Sequence, residues 1–132
     1  MPLALAQGGM TFARQALGQF GENVAVEELE RRGYEILARR YRTRHGEIDI
    51  VAKRGGEVAF VEVKARRSDR AGLAADAITP RKRRRIAAMA LDYLAYTQQL
   101  ESPCQFVVVA IDGAGTPGQT VRVIEHAWTV DY

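Results

Sequence analysis

The spacing of apolar positions divides the chain into helical and extended stretches. From Thr11 to Arg32, Leu17, Gly21, Val24, Ala25 and Leu29 recur at helical intervals, and Gly33 stands just past the end, where a helix-terminating glycine belongs. Tyr34 to Arg42 reads as a strand. Glu47 to Arg54 and Glu57 to Ala65 alternate and read as two more. Residues 66–78 carry no clear period and read as a loop or short turn. Thr79 opens the clearest helix, which runs to Gln99. Threonine is a good N-cap, Pro80 suits the first helical position, and Ile86, Met89, Ala90, Tyr93, Leu94 and Thr97 form its stripe. Phe106 to Ile111 is a continuous apolar run, as in a central strand covered on both faces. A Gly-rich turn over 112–119 leads to a last strand, Val121 to Trp128. The order α-β-β-β-α-β-β predicts an α/β domain, a mixed sheet of about five strands flanked by helices.

Gly55-Gly56 sets a register. Two glycines between alternating strands suit a type I′ hairpin turn, whose central residues both need positive φ. If Arg54 pairs with Glu57, Ile48 faces Val63 and Ile50 faces Val61, and these four share a core face. On the other face Glu47 meets Lys64, Asp49 meets Glu62 and Val51 meets Phe60. Facing residues hold their Cβ atoms about 4.5–5.5 Å apart, close enough for two carboxylates to share a cation, and like charges placed so are destabilising without one. Lys64 emerges beside Glu62 on the same face. Two acids and a lysine in this pattern are what metal-assisted phosphodiester cleavage needs. Asp49 and Glu62 are candidate ligands for Mg²⁺ or Mn²⁺, and Lys64 is a candidate to orient water or neutralise developing charge. An alternating strand also produces solvated faces with incidental acids, so the motif alone is weak.

Charge distribution strengthens it. The chain has 132 residues and a formal net charge of +3. Residues 31–44 carry six arginines against Glu35, and residues 64–85 carry nine basic residues against Asp69 and Asp76, so the remainder is acidic. The basic residues are sixteen Arg and three Lys, and the guanidinium fork matches phosphate geometry. Twenty alanines show that base composition also favours Arg, but it does not explain the clustering. Arg39, Arg40, Arg42 and Arg44 in the first block, and Arg66, Arg67, Arg81, Lys82, Arg83, Arg84 and Arg85 in the second, are candidate nucleic-acid contacts. The run from Arg81 to Arg85 opposes the helix dipole at its start, a repulsion that a bound phosphate offsets. Solvated turns and ion pairs are the plainer explanation. Glu22 borders the inward stripe of the first helix beside Gly21 and Gly18. It is either a third acid at the site or a surface glutamate. His45 reads as a loop residue.

Three segments resemble the YraN family. They are Gly18-x-x-Gly21-Glu22-x-x-Ala25 followed by Gly33-Tyr34-x-Ile36-Leu37; Gly46 to Ala52 followed by Phe60-Val61-Glu62-Val63-Lys64-x-Arg66; and Ala77-x-x-x-x-Lys82-x-x-Arg85-Ile86 with Tyr93-Leu94. That family is similar to archaeal Holliday-junction resolvases. The resemblance implies a restriction-endonuclease-like fold and a metal-dependent nuclease site at Glu22, Asp49, Glu62 and Lys64, with Glu22 joining Asp49 and Glu62 on the metal. Two positions depart from the family pattern. Gln105-Phe106-Val107 stands where Arg-Phe-Asp is usual, and Arg40 where Asn is common.

The leading expectation is a Mg²⁺-dependent DNA endonuclease acting on branched or damaged DNA. A nucleic-acid-binding module without catalysis, and a structural protein whose acids form ordinary ion pairs, are the alternatives. One domain is expected, with residues 1–10 as a flexible extension. No apolar run reaches the ~20 residues of a membrane span. The start has no secretory pattern, and the lone Cys104 excludes a disulfide framework, so a cytoplasmic location is expected. A homodimer is also expected, because a two-fold junction is cut symmetrically by two sites. Trp128 is either an anchor in that contact or part of its own core.

Overall fold

The computed structural model describes residues 2–67 and 78–130, with side chains from residue 13 onward. Its elements are α1 (Pro2–Arg31), β1 (Glu35–Thr43), β2 (Gly46–Arg54), β3 (Glu57–Ala65), α2 (Pro80–Tyr96), β4 (Cys104–Asp112) and β5 (Thr120–Ile124). Most of the loop expected at 66–78, Ala77 included, lies outside the described residues. The strands form one mixed sheet in the order β1-β2-β3-β4-β5. Only β3 and β4 run parallel. Their connection passes through α2, the crossover that a parallel pair requires.

Each helix covers one face. Ala25 and Leu29 of α1 pack with Ile50, Ala52, Ala59, Val61, Val107, Val109 and Ile111. Ile86, Met89, Ala90, Tyr93 and Leu94 of α2 pack with Ile48, Val51, Val58, Phe60 and Phe106. α1 ends as expected at Gly33, whose φ is +91°. Tyr34 N–H donates to the Leu29 carbonyl and Gly33 N–H to that of Glu30, a Schellman closure with Tyr34 and Leu29 buried together. The helix begins at Pro2 instead of Thr11, because proline suits the first helical position and the Leu-Ala segment after it is rich in helix formers. α1 lies close on β3, since a Cβ at Gly21 would stand 2.7 Å from that of Ala65.

Gly55 and Gly56 have φ of +58° and +82°, and the hairpin holds the expected register from Arg54↔Glu57 to Ile50↔Val61. Beyond that pair the expectation needs correcting. Ile48 lies on the α2 face while Ile50 and Val61 lie on the α1 face, so the four do not share one core face. The cause is a break in alternation shared by β1 and β2. Arg40 adopts a left-handed φ of +53° at the level of Asp49, between the pairs Arg39↔Ile50 and Tyr41↔Ile48. The last strand is also shorter than expected. It stops at Ile124, the chain reverses at His126 (φ +49°), and Trp128 stacks on Phe106 with centroids 4.8 Å apart. Trp128 thus packs on its own chain.

Candidate functional site

The site forms where β2 and β3 part. Past Ile50↔Val61 the strands no longer pair in register, and the Asp49 carboxylate fills the gap. Its Oδ2 accepts a hydrogen bond from Val63 N–H at 2.8 Å, in place of a ladder carbonyl. Asp49 is half-buried and opens onto a cleft of about 590 Å³, also lined by Arg14, Gly18, Glu22, Arg40, Glu47 and Lys64. Glu62 is buried. Its Oε1 lies 2.5 Å from Lys82 Nζ and 3.6 Å from Lys64 Nζ. Burial and the nearby Glu62 charge push the Asp49 carboxyl up to about 7, against the pull of Val63 N–H and Lys82. Burial and the neighbouring Lys82 lower the Lys64 ammonium. Burial works against Lys82 too, but contact with Glu62 holds it above the ordinary lysine range.

Glu22 reaches the cleft from α1 and is itself buried. Arg39 Nε donates to its Oε1 at 2.8 Å and Arg40 Nε to its Oε2 at 3.0 Å. Neighbouring residues of a regular strand point to opposite faces. The left-handed turn at Arg40 puts both guanidiniums on one carboxylate. That conformation is one Asn tolerates better than Arg.

The remaining basic candidates stand apart from this cluster. Arg42 pairs with Glu47 at 2.9 Å and Arg44 with Asp92 at 3.5 Å, all on the exposed hairpin tip and its rim. Arg66, Arg67, Arg81, Arg83, Arg84 and Arg85 are exposed, and the Arg83 guanidinium lies 5.6 Å from the Trp128 ring centroid. His45 is a loop residue near Asp92. Lys82, expected among the phosphate contacts, instead joins the acids. A signal for this was present, because Lys82 lies one turn before Ile86 on the buried stripe of α2.

Among the described residues no three His, Cys, Asp or Glu side chains form a ready cage for a metal. The donor chemistry nevertheless fits a hard cation. Asp49 and Glu62 are oxygen donors held together against their repulsion, and Mg²⁺ characteristically takes one or two carboxylates and completes its shell with water and substrate phosphate. Glu22, expected as a third ligand, has each carboxylate oxygen engaged by an arginine.

The sequence pattern of the uncharacterised protein family UPF0102 matches residues 21–111, which hold every element from β1 through most of β4. The chain belongs to that family. A UPF0102 protein of Roseiflexus castenholzii is 47% identical over 118 residues, 89% of this chain and 94% of that one. A UPF0102 protein of Geobacter metallireducens is 44% identical over 123 residues, 93% of this chain and all of its own length. No helix among the described residues is long and apolar enough to cross a membrane.

Proposed function

We propose that this UPF0102 protein is a divalent-metal-dependent DNA endonuclease that hydrolyses phosphodiester bonds. On this reading its sheet is a restriction-endonuclease-like core, as the resemblance to the YraN family and to archaeal Holliday-junction resolvases implies. Its substrate is branched or damaged DNA in the cytoplasm. The observation that carries the proposal is the junction of Asp49, Glu62 and Lys64 at the fork of β2 and β3. There two acids are kept together although burial, with the Glu62 charge adding to it, raises Asp49 to about 7.

Asp49 and Glu62 would hold Mg²⁺ or Mn²⁺. A metal of this kind, when bound, polarises the phosphate and lowers the pKa of a coordinated water. Lys64 orients the attacking water and offsets charge developing on the phosphate. Glu22 supports the site through Arg39 and Arg40, which it fixes at the rim of the cleft. Arg42, Arg44, Arg66, Arg67, Arg81, Arg83, Arg84 and Arg85 carry the DNA backbone, and affinity falls steeply with salt. A homodimer supplies the second site for a symmetric cut. The competing reading, a DNA-binding module without hydrolysis, draws on the ion pairs that already neutralise Glu22 and Glu62.

A cleavage panel with linear, flap and four-way-junction DNA in Mg²⁺ tests the proposal. Cleavage by the wild type is expected, with a loss of roughly 100-fold or more in Asp49→Asn, Glu62→Gln and Lys64→Met. Salt-dependent binding with no cleavage of any substrate would favour the module instead.

A further inference from the structure

Lys82 holds a position that phosphate binding alone does not explain. On the metal reading above, we propose that Lys82 is a resident cation at Glu62. In the free protein its ammonium occupies the carboxylate. When a phosphodiester arrives Lys82 transfers to the phosphate, and the divalent ion takes its place, so that metal loading is coupled to DNA binding.

Three observations carry this. The first is the contact itself. Lys82 Nζ stands 2.5 Å from Glu62 Oε1, closer than Lys64 at 3.6 Å, so two ammoniums converge on one oxygen. The second is the contrast with Glu22. Two arginines hold that acid through directional hydrogen bonds, whereas Glu62 is held by lysines. An ammonium on a flexible four-carbon stem is a point charge that can move between anions without losing a forked geometry. The third is a destination. Lys82 also lines an open cavity of about 460 Å³ with Thr79, Arg81 and Arg85, basic walls suited to a phosphodiester. The backbone need not move, since Lys82 N–H is fixed by the Thr79 hydroxyl at 3.1 Å. Only the side chain swings, from the carboxylate on β3 to the cavity at the start of α2.

Exchange makes an inverse prediction. A residue that supports the metal weakens metal binding when removed, but a resident cation strengthens it. Mn²⁺ titrated into the full chain without DNA, followed by calorimetry, provides the measurement. Lys82→Met should bind Mn²⁺ about ten-fold tighter than wild type or better. Arg31→Ala, an exposed charge on α1 paired with Glu28 and away from the site, should change affinity by less than about two-fold. Lys82→Arg preserves the charge and grips Glu62 through a fork, so it should bind Mn²⁺ more weakly than wild type, and it carries the test if Lys82→Met does not fold. A short duplex DNA should tighten Mn²⁺ binding by wild type more than by Lys82→Met, because phosphate joins the metal shell in both but releases a resident cation only in wild type. Lys82→Met and Lys82→Arg both matching wild type would overturn the exchange. The metal reading would still stand if wild type binds Mn²⁺ and Asp49→Asn and Glu62→Gln do not. Absence of Mn²⁺ binding by wild type and every Lys82 variant would overturn both.

Discussion

Each end of the central hairpin carries a cluster of polar side chains, and the two clusters are built on opposite principles. At the Gly55-Gly56 end the buried Gln105 donates from Nε2 to Tyr34 Oη and Glu57 Oε1, and its Oε1 accepts from His126 N–H. Tyr34 and Arg54 both donate to Glu125 Oε1, and the Arg54 guanidinium lies over the Tyr34 ring. Hydrogen bonding from Tyr34, and from Arg54 beyond it, holds Glu125 below the usual carboxylate range, while burial and Glu125 push the Tyr34 hydroxyl up to about 12. Each shift there favours the protonation state that the hydrogen bonds require. At the other end Asp49 shifts toward losing its charge. Polar side chains settle into a satisfied network in one place, while in the other burial and the neighbouring Glu62 charge work against the charged form of Asp49. A carboxyl shifted in this way within a cleft marks a candidate functional site.

The comparison predicts opposite signs for substitutions at the two ends. Gln105→Leu removes partners from Tyr34, Glu57 and His126 N–H, and should cost about 2–3 kcal/mol in urea denaturation. An unchanged midpoint would mean that the network contributes nothing. Asp49→Asn should instead stabilise the metal-free protein at pH 8, by up to about 1 kcal/mol. The pH dependence has a definite sign. An unfolded Asp titrates near about 3.9. The folded Asp49, raised to about 7, keeps a proton that the unfolded chain has lost. Its contribution to stability is therefore full below about pH 4 and declines as pH rises through about 7. The gap in melting temperature between Asp49→Asn and wild type should widen over that interval, and a constant gap would contradict the assignment. Arg40→Asn should have the smallest effect, within about 1 kcal/mol. Relief of a left-handed arginine offsets the loss of one half-exposed ion pair. A melting curve displaced well beyond this would show that Arg40 does more at Glu22 than its geometry implies.

Much of the fold was legible because local chemistry fixed it. Gly33 ended α1, Gly55-Gly56 set the hairpin, and Thr79-Pro80 opened α2. The turn register held as far as Ile50↔Val61, and past it Asp49 accepts from Val63 N–H instead of pairing across from Glu62. What stayed hidden depended on contacts between distant segments. No sequence period marks the left-handed Arg40, and regular alternation placed Ile48 on the wrong face. Lys82 read as one charge among five because four neighbouring cations mask its place one turn before Ile86 on the buried stripe. The departure at Gln105 takes its meaning only from Tyr34, Glu57 and His126, while Val107 is simply buried in the core under α1. The end of β5 depended on a reversal that carries Trp128 back to Phe106.

The central claim is that Asp49 and Glu62 form a pair of acids whose repulsion a divalent cation relieves. The direct measurement is the titration of the Asp49 carboxyl carbon by nuclear magnetic resonance, in metal-free protein and in saturating Mg²⁺. The account predicts a midpoint of about 7 without metal, and a return with Mg²⁺ to the ordinary carboxylate range near about 4 or below. A midpoint already in the ordinary range, unmoved by Mg²⁺, would contradict it.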